Sequence, residues 1–309
     1  MKYKFLWSLI LLGLFTAFVY LSFINKSSEF RSSEITEIRL NSKEIRPNSA
    51  IPLLKDELSQ SLSDVSGETH VRALEVIMDW IKNQQVLTEE DRDALLDYLS
   101  KSKPETLVSG EWAERVNELL NLLRCQPEGV PGLADLLIHM VTNDPDPVLR
   151  MYALQHLAMW IPDEPVAGNR IAMLNLLQRL AETSGDPLAG SAVLFLNDLS
   201  KQSGNLSDTK LADGIIERAA LRIVNDASSS PDVRIAALHA CAARGMQDAA
   251  SASRLIAADT SLMIPLRKAA IFTLGELGNI QDRDLLESVA SSNPTLVSAT
   301  APALEKLKL

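Results

Sequence analysis

A short segment recurs along the second half of the chain, and it constrains the fold more than any other sequence feature. Residues 231–238 read Pro-Asp-Val-Arg-Ile-Ala-Ala-Leu, and residues 147–154 read Pro-Val-Leu-Arg-Met-Tyr-Ala-Leu. Residues 264–267 read Ile-Pro-Leu-Arg, which places Arg267 33 residues after Arg234. A recurrence in this range indicates stacked structural repeats.

Each recurrence has the properties of a helix that starts a helical hairpin. Pro265 suits the first turn of a helix, where its missing N–H is not needed. Leu266, Ala270 and Leu274 follow at helical spacing and predict one apolar face. Gly278 then predicts the helix stop. Because one hairpin cannot bury its own apolar face, the pattern predicts a stack of neighbouring hairpins.

Two further segments follow the pattern without its arginine. The segment that begins at Pro187 has Gly190 in the arginine position, and the segment that begins at Pro294 has Val297 there. We interpret the last segment as a degenerate terminal repeat, since one face of a terminal repeat meets water.

The pattern Pro-x-Val/Leu-Arg-x-x-Ala-Leu, followed in residues 274–278 by Leu-Gly-x-Leu-Gly, resembles the HEAT repeat, especially the short form of phycobilin-lyase-like proteins. The resemblance covers residues 145–309 well and residues 50–144 more weakly. It implies an all-α, right-handed α-solenoid of helix pairs, in which the recurrent arginine is a stacking residue. It says little about function, because such repeats serve as scaffolds, adaptors and some enzymes.

Helical periodicity predicts helices along the whole chain beyond residue 50. The predicted helices are 51–64, 69–84, 88–101, 111–125, 131–142, 147–161, 169–182, 187–202, 207–225, 231–244, 248–258, 264–277, 282–291 and 294–308.

The N-terminus contains a run without charge from Phe5 to Ile24. As a helix these residues would span about 30 Å, the thickness of the hydrocarbon core. We therefore predict a single transmembrane helix. The alternative is a cleaved secretory signal, although the small-x-small cleavage pattern is absent around Ala17 and Ser22.

The charges that flank this run favour a cytoplasmic N-terminus, which places the rest of the chain outside the cytoplasm, in a periplasmic or extracellular space. Lys2 and Lys4 precede the run, while Lys26 and Arg31 follow it. A polar, serine-rich stretch comes next and predicts a stalk, which as a coil would span about 25–30 Å. The predicted organisation is a membrane anchor in residues 1–25, a stalk in 26–50 and a solenoid in 51–309.

The formal net charge of −10 argues against a nucleic acid as the partner. Phosphate binding depends on clustered lysine and arginine side chains. A local basic patch on one face remains compatible with this composition.

Few residues suggest catalysis. Cys125 and Cys241 lie too far apart in a solenoid for a disulfide, so we predict two buried free thiols. Short motifs for zinc hydrolysis, phosphate binding, a nucleophile elbow or a redox Cys-x-x-Cys do not occur in the sequence. We predict no catalytic, cofactor-binding or metal-binding residues and interpret the histidines as structural; they are His70, His139, His156 and His239.

The recurrent arginines and the tryptophans also receive structural interpretations. We predict that each arginine pairs with an acid or a helix C-terminus, forming a ladder through the stack. The tryptophans lie in apolar helical runs and are predicted to be core residues. These residues are Arg150, Arg234, Arg267, Trp80, Trp112 and Trp160.

The sequence favours a membrane-anchored scaffold or adaptor that binds a protein partner. Stacked repeats form a concave face lined by one helix of each pair. We expect the second helices to line it, in 169–182, 207–225 and 248–258. The alternative is a lyase- or isomerase-like enzyme on the same repeats that acts on an exported substrate, which would require a pocket with convergent polar groups.

Overall fold

The structure is a computed structural model, and it describes residues 86–100, 109–201 and 214–307. These residues form helices and turns, with no β-strand among them, and they lie within one compact unit, Leu53–Leu309. Their α-helices are α1 Glu89–Ser100, α2 Ser109–Arg124, α3 Leu133–Asn143, α4 Pro147–Trp160, α5 Ala167–Glu182, α6 Ala189–Lys201, α7 Ile215–Asn225, α8 Pro231–Ala243, α9 Ala249–Ala258, α10 Ile264–Leu277, α11 Arg283–Ser292 and α12 Val297–Lys306.

The predicted anchor, the stalk and the first two predicted helices, 51–64 and 69–84, fall outside the described residues. Within the described part, no helix has both the length and the apolar character needed to cross a bilayer.

The helices stack in two layers. The first-helix layer contains the even-numbered helices, each of which packs on the next from α2 to α12. The second-helix layer contains the odd-numbered helices, which pack in the same way from α1 to α11. Consecutive helices, such as α3 with α4 and α9 with α10, pack across the layers as pairs. Every helix thus contacts its near neighbours in the chain, as in an α-solenoid, and the prediction of an all-helical stack is confirmed.

Proline and aspartate specify where helices of the first-helix layer begin. Pro147 and Pro231 occupy the first position of their helices. The side chain of Asp146 accepts a hydrogen bond of 2.8 Å from the backbone N–H of Val148, which caps α4. These local signals explain why the sequence located the helix starts closely.

The predicted helix 207–225 is wrong in its start. Gly214 has a positive φ of 78°, a left-handed conformation that a helix of L-residues does not continue through, and α7 begins at Ile215. The predicted helix 294–308 is also divided, because a 3₁₀ turn, Pro294–Leu296, precedes α12.

Small residues bring the helices of the first-helix layer together. The residue three positions after the arginine position is buried in all five segments, and these residues are Ala153, Val193, Ala237, Ala270 and Thr300. A close approach of two backbones lies at Gly190 on α6. A Cβ atom built there would lie 2.7 Å from the carbonyl oxygen of Val233 and 2.9 Å from Cβ of Ala236, both on α8. Gly190 therefore permits the close packing of α6 on α8.

Candidate partner-binding face

The three recurrent arginines link adjacent helices through hydrogen bonds to the backbone. Each donates a hydrogen bond to a backbone carbonyl in the last turn of the preceding second-layer helix, where carbonyls lack helical partners. The bonds are Arg150 Nε to Val141 O at 2.8 Å, Arg234 Nη2 to Val224 O at 3.1 Å and Arg267 Nε to Ala257 O at 3.1 Å. The contacts are of the kind predicted for a structural ladder.

The repeat with Gly190 in the arginine position has a similar carbonyl contact from a different side chain. Ala181 lies nine residues before Gly190, as Val141 lies nine residues before Arg150. Its carbonyl accepts a 2.7 Å hydrogen bond from Nη2 of Arg222, which belongs to the next second-layer helix, α7. Sequence reasoning missed Arg222, because it lies outside the repeated motif.

Aspartates in the connections between layers surround the ladder with negative charge. Asp186 forms an ion pair of 3.4 Å with Arg150. Hydrogen bonds, chiefly from Ser228, lower the pKa of Asp226 to about 2. The pKa of Asp259 is also lowered, first by hydrogen bonds from Ser261 and in smaller part by the charge of Arg267. The carboxylates of Asp226 and Asp259 stay ionised at neutral pH and offset the charge of the buried arginines.

We predict that Arg267→Ala lowers the local free energy of opening of α9 and α10 by about 2 kcal/mol. Arg267 is 2% exposed, and its removal leaves the buried carbonyl of Ala257 without its donor. Arg179→Ala is the matched control: Arg179 is exposed on α5, so its loss should stay within about 0.5 kcal/mol. Hydrogen exchange on the full chain in mild detergent measures both. If both variants show the same protection from hydrogen exchange, the arginine ladder has no structural role.

Among the described residues, the histidines and cysteines form no common cluster. His139 contacts Asn143 at 3.1 Å, and His239 lies against the ring of Phe272, with ring centroids 5.4 Å apart. His156 is buried in α4, and His70 falls outside the described residues. Nowhere in the described part do three or more His, Cys, Asp or Glu side chains form a group that could hold a metal ion.

The prediction of two buried thiols is half wrong. Cys241 is fully buried, and burial raises the pKa of its thiol to about 12, so the thiol stays protonated. Cys125 is exposed, because it falls just beyond the last residue of α2, Arg124, in the turn that leaves the helix.

His156 makes stability depend on pH. Burial, with a smaller effect of the Arg124 charge, lowers the pKa of His156 to about 4. Its Nε2 lies 3.1 Å from Oδ1 of Asn117. Because the folded pKa lies below the unfolded value of about 6.5, the unfolded chain binds the proton more readily, and stability falls as the pH drops from about 6.5 to about 4.

We expect the loss of stability over this interval to reach about 3 kcal/mol. His156→Gln keeps a donor for Asn117 and should flatten this part of the profile. Thermal unfolding of the full chain between pH 7 and pH 4 tests this. An unchanged profile in the variant would assign the acid sensitivity to other groups.

The tryptophans of the described residues belong to the core, as predicted. Trp112 is 3% exposed and meets Tyr98 edge-to-face, with ring centroids 5.5 Å apart. Trp160 is also buried, and its Nε1 donates a 2.7 Å hydrogen bond to Glu164. Trp80 falls outside the described residues.

The second-helix layer exposes arginine and aliphatic side chains to solvent. We define the second-helix face as the outward side of α5, α7 and α9, represented by Ile171, Arg179, Arg218, Arg222, Arg254 and Leu255. On α5, Ile171 and Arg179 lie on the exposed side, while Leu174 and Leu177 are buried on the opposite side. Leu255 on α9 is 74% exposed. The helices that the sequence suggested as a binding surface therefore expose two aliphatic side chains.

This face is basic, although the chain as a whole is acidic. Helices α5, α7 and α9 contain five arginines and two glutamates and no other charged residue. Their balance of +3 contrasts with −10 for the whole chain. These three helices are therefore net positive in an otherwise acidic chain, and one of their arginines, Arg254, is paired with Asp282.

A scan against protein-family models finds no matching family, and a search of the curated proteins finds no matching relative.

Proposed function

We propose that this protein is a membrane-anchored scaffold or adaptor of the HEAT-repeat type, which binds a protein partner through its second-helix face. The observation that carries the proposal is the exposure of Leu255, at 74%, on a helix whose other large apolar side chain, Ile256, is buried. Ile171 is also exposed, at 45%, on the same face. Aliphatic side chains among arginines are a composition suited to a protein interface.

Three features support the HEAT-type repeat. The helices stack in two layers, the prolines begin the first helices of several pairs, and the arginine side chains recur as links between helices. A right-handed turn of this stack would make the second-helix face the concave side. The proposed role is binding rather than catalysis.

The proposed attachment to the membrane depends on the uncharged residues 5–24 and the polar residues 26–50. The anchor would hold the solenoid outside the cytoplasm, and the stalk would separate it from the lipid head groups. The full chain should resist carbonate extraction, whereas a chain without residues 1–25 should not sediment with membranes. A mature N-terminus beyond residue 20, found by mass spectrometry, would support the cleaved signal instead.

Partner binding is tested by cross-linking from the face itself. A photo-reactive amino acid replaces Leu255 in the full chain, and the matched control carries it at Val297, which is 46% exposed at the start of α12. We expect one defined protein cross-linked from position 255 and not from position 297. The same products from both positions, or products from position 297 alone, would contradict binding at the second-helix face.

A further inference from the structure

We infer that the second-helix face recognises an acidic peptide segment with an apolar side chain, whose carboxylates meet Arg179 and Arg222 and whose apolar residue meets Leu255. This inference rests on the proposed function and specifies the chemistry of its partner.

The arginine ladder places the relevant side chains in one row. Four carbonyls near the ends of adjacent second-layer helices accept arginine hydrogen bonds: these are the carbonyls of Val141, Ala181, Val224 and Ala257. Two residues before them lie His139, Arg179, Arg222 and Leu255, on the adjacent helices α3, α5, α7 and α9. The row therefore crosses the layer from one helix to the next.

The spacing of this row matches a peptide in the polyproline II conformation. Packed helices lie about 8–10 Å apart, and such a peptide advances about 3.1 Å per residue with three residues per turn, so that every third side chain lies on one face. Side chains three residues apart in the peptide would therefore meet successive helices. The expected ligand pattern is two acidic residues three positions apart, with an apolar residue three positions beyond the second.

Arg179 carries the charge on this row that no described carboxylate offsets. Arg179 is exposed and takes part in no ion pair among the described residues. Arg222 donates to a carbonyl, although its charge also lies near Asp226. Two other arginines of the face are paired: Arg218 lies 4.0 Å from Glu182 in a largely exposed and therefore weak ion pair, and Arg254 binds the buried Asp282 at 2.5 Å. Guanidinium groups can bind carboxylates with two parallel hydrogen bonds.

The same surface fits a nucleic acid poorly. Proteins that bind single strands stack bases on aromatic side chains, and α5, α7 and α9 contain no aromatic residue. Exposed acids on the flanking helices, Asp135 on α3 and Asp284 on α11, limit the basic surface to three helices. A polyanion would have to pass these carboxylates, whereas a short acidic segment would not.

The test is a selection of random twelve-residue peptides on the full chain in detergent micelles. We expect enrichment of acidic-x-x-acidic-x-x-apolar peptides. Fluorescence anisotropy of the most enriched peptide then gives its Kd. Arg179→Glu and Leu255→Asp should each weaken binding at least about tenfold. Lys201→Glu, a charge reversal at an exposed residue of α6, should change the Kd less than about twofold. Circular dichroism checks that the variants remain folded.

The outcomes separate this inference from the proposed function. The inference is overturned if the enriched peptides lack acidic residues, or if an acidic peptide binds the Arg179→Glu variant equally well. The proposed binding face still stands in either case if Leu255→Asp weakens binding. Tighter binding of polyuridylate RNA, lost in Arg179→Glu, would replace the peptide by a nucleic acid. If no peptide is enriched, the inference fails; if position 255 also yields no cross-linked protein, the proposed function fails with it.

Discussion

Ala270→Asp is expected to unfold the C-terminal part of the helix stack. Ala270 is fully buried in α10, three residues after Arg267. A carboxylate at this position would be buried among apolar groups without a partner, which costs at least several kcal/mol if it stays charged. Hydrogen exchange on the full chain should show lost protection across residues 231–307, with smaller effects towards α3, because repeats support only their neighbours.

The same substitution at an exposed alanine provides the control. Ala172 lies on α5 and is exposed, so Ala172→Asp should cost about 0.5 kcal/mol, from helix propensity alone. Lys268 lies outside the predicted stripe of Leu266, Ala270 and Leu274, so the sequence predicts a solvated side chain. The structure shows this side chain half-buried, which makes Lys268 a weaker control. Equal protection in the Ala270 and Ala172 variants would mean that the helix register of the repeat is wrong.

Gly190→Val is expected to separate α6 from α8 and to cost about 3 kcal/mol, the upper end of the usual range for overpacking. The contact at Gly190 is with backbone: the built Cβ lies 2.7 Å from the carbonyl oxygen and 2.9 Å from Cα of Val233. A side chain there cannot be accommodated by a rotamer change in the neighbour, so one helix must move. Loss of protection in both helices, measured by hydrogen exchange, would show the separation.

Gly168→Val is the matched control for this effect. Gly168 lies in the first turn of α5, and a Cβ there meets nothing within 4 Å. The substitution should be nearly neutral, because valine has a better helix propensity than glycine. If both valine variants unfolded alike, the cost would come from the substitution itself and not from the close approach of α6 and α8.

Much of the fold was predictable because its signals are local. The segment around Pro231 and Arg234 contains, within one short stretch, a helix start, an apolar stripe and the arginine that contacts the preceding helix. Neighbouring units repeat the same information, so the register can be checked along the chain. Burial of Ala270 followed directly from that register, and the structure confirms it.

The candidate site was less predictable, because it depends on which side chains adjacent helices bring together. The sequence suggested the second helices as a group, but the motif that reveals the repeat lies on the first helices. Arg179 and Arg222 belong to no recurring motif in the sequence. They lie in one row because each is two residues before a carbonyl that accepts an arginine hydrogen bond, Ala181 on α5 and Val224 on α7.

The sequence alone determined that helices pair and stack, since apolar periodicity and helix-end residues act within one helix and recur in the next. Only the tertiary structure shows which residues of neighbouring helices contact one another. Only the packing of α8 on α6 explains why Gly190 stands where other repeats have arginine, and only the neighbouring helix supplies Arg222 to the carbonyl of Ala181. The physical reason is distance along the chain: these contacts join residues about 40 positions apart, beyond the reach of any periodicity within one helix.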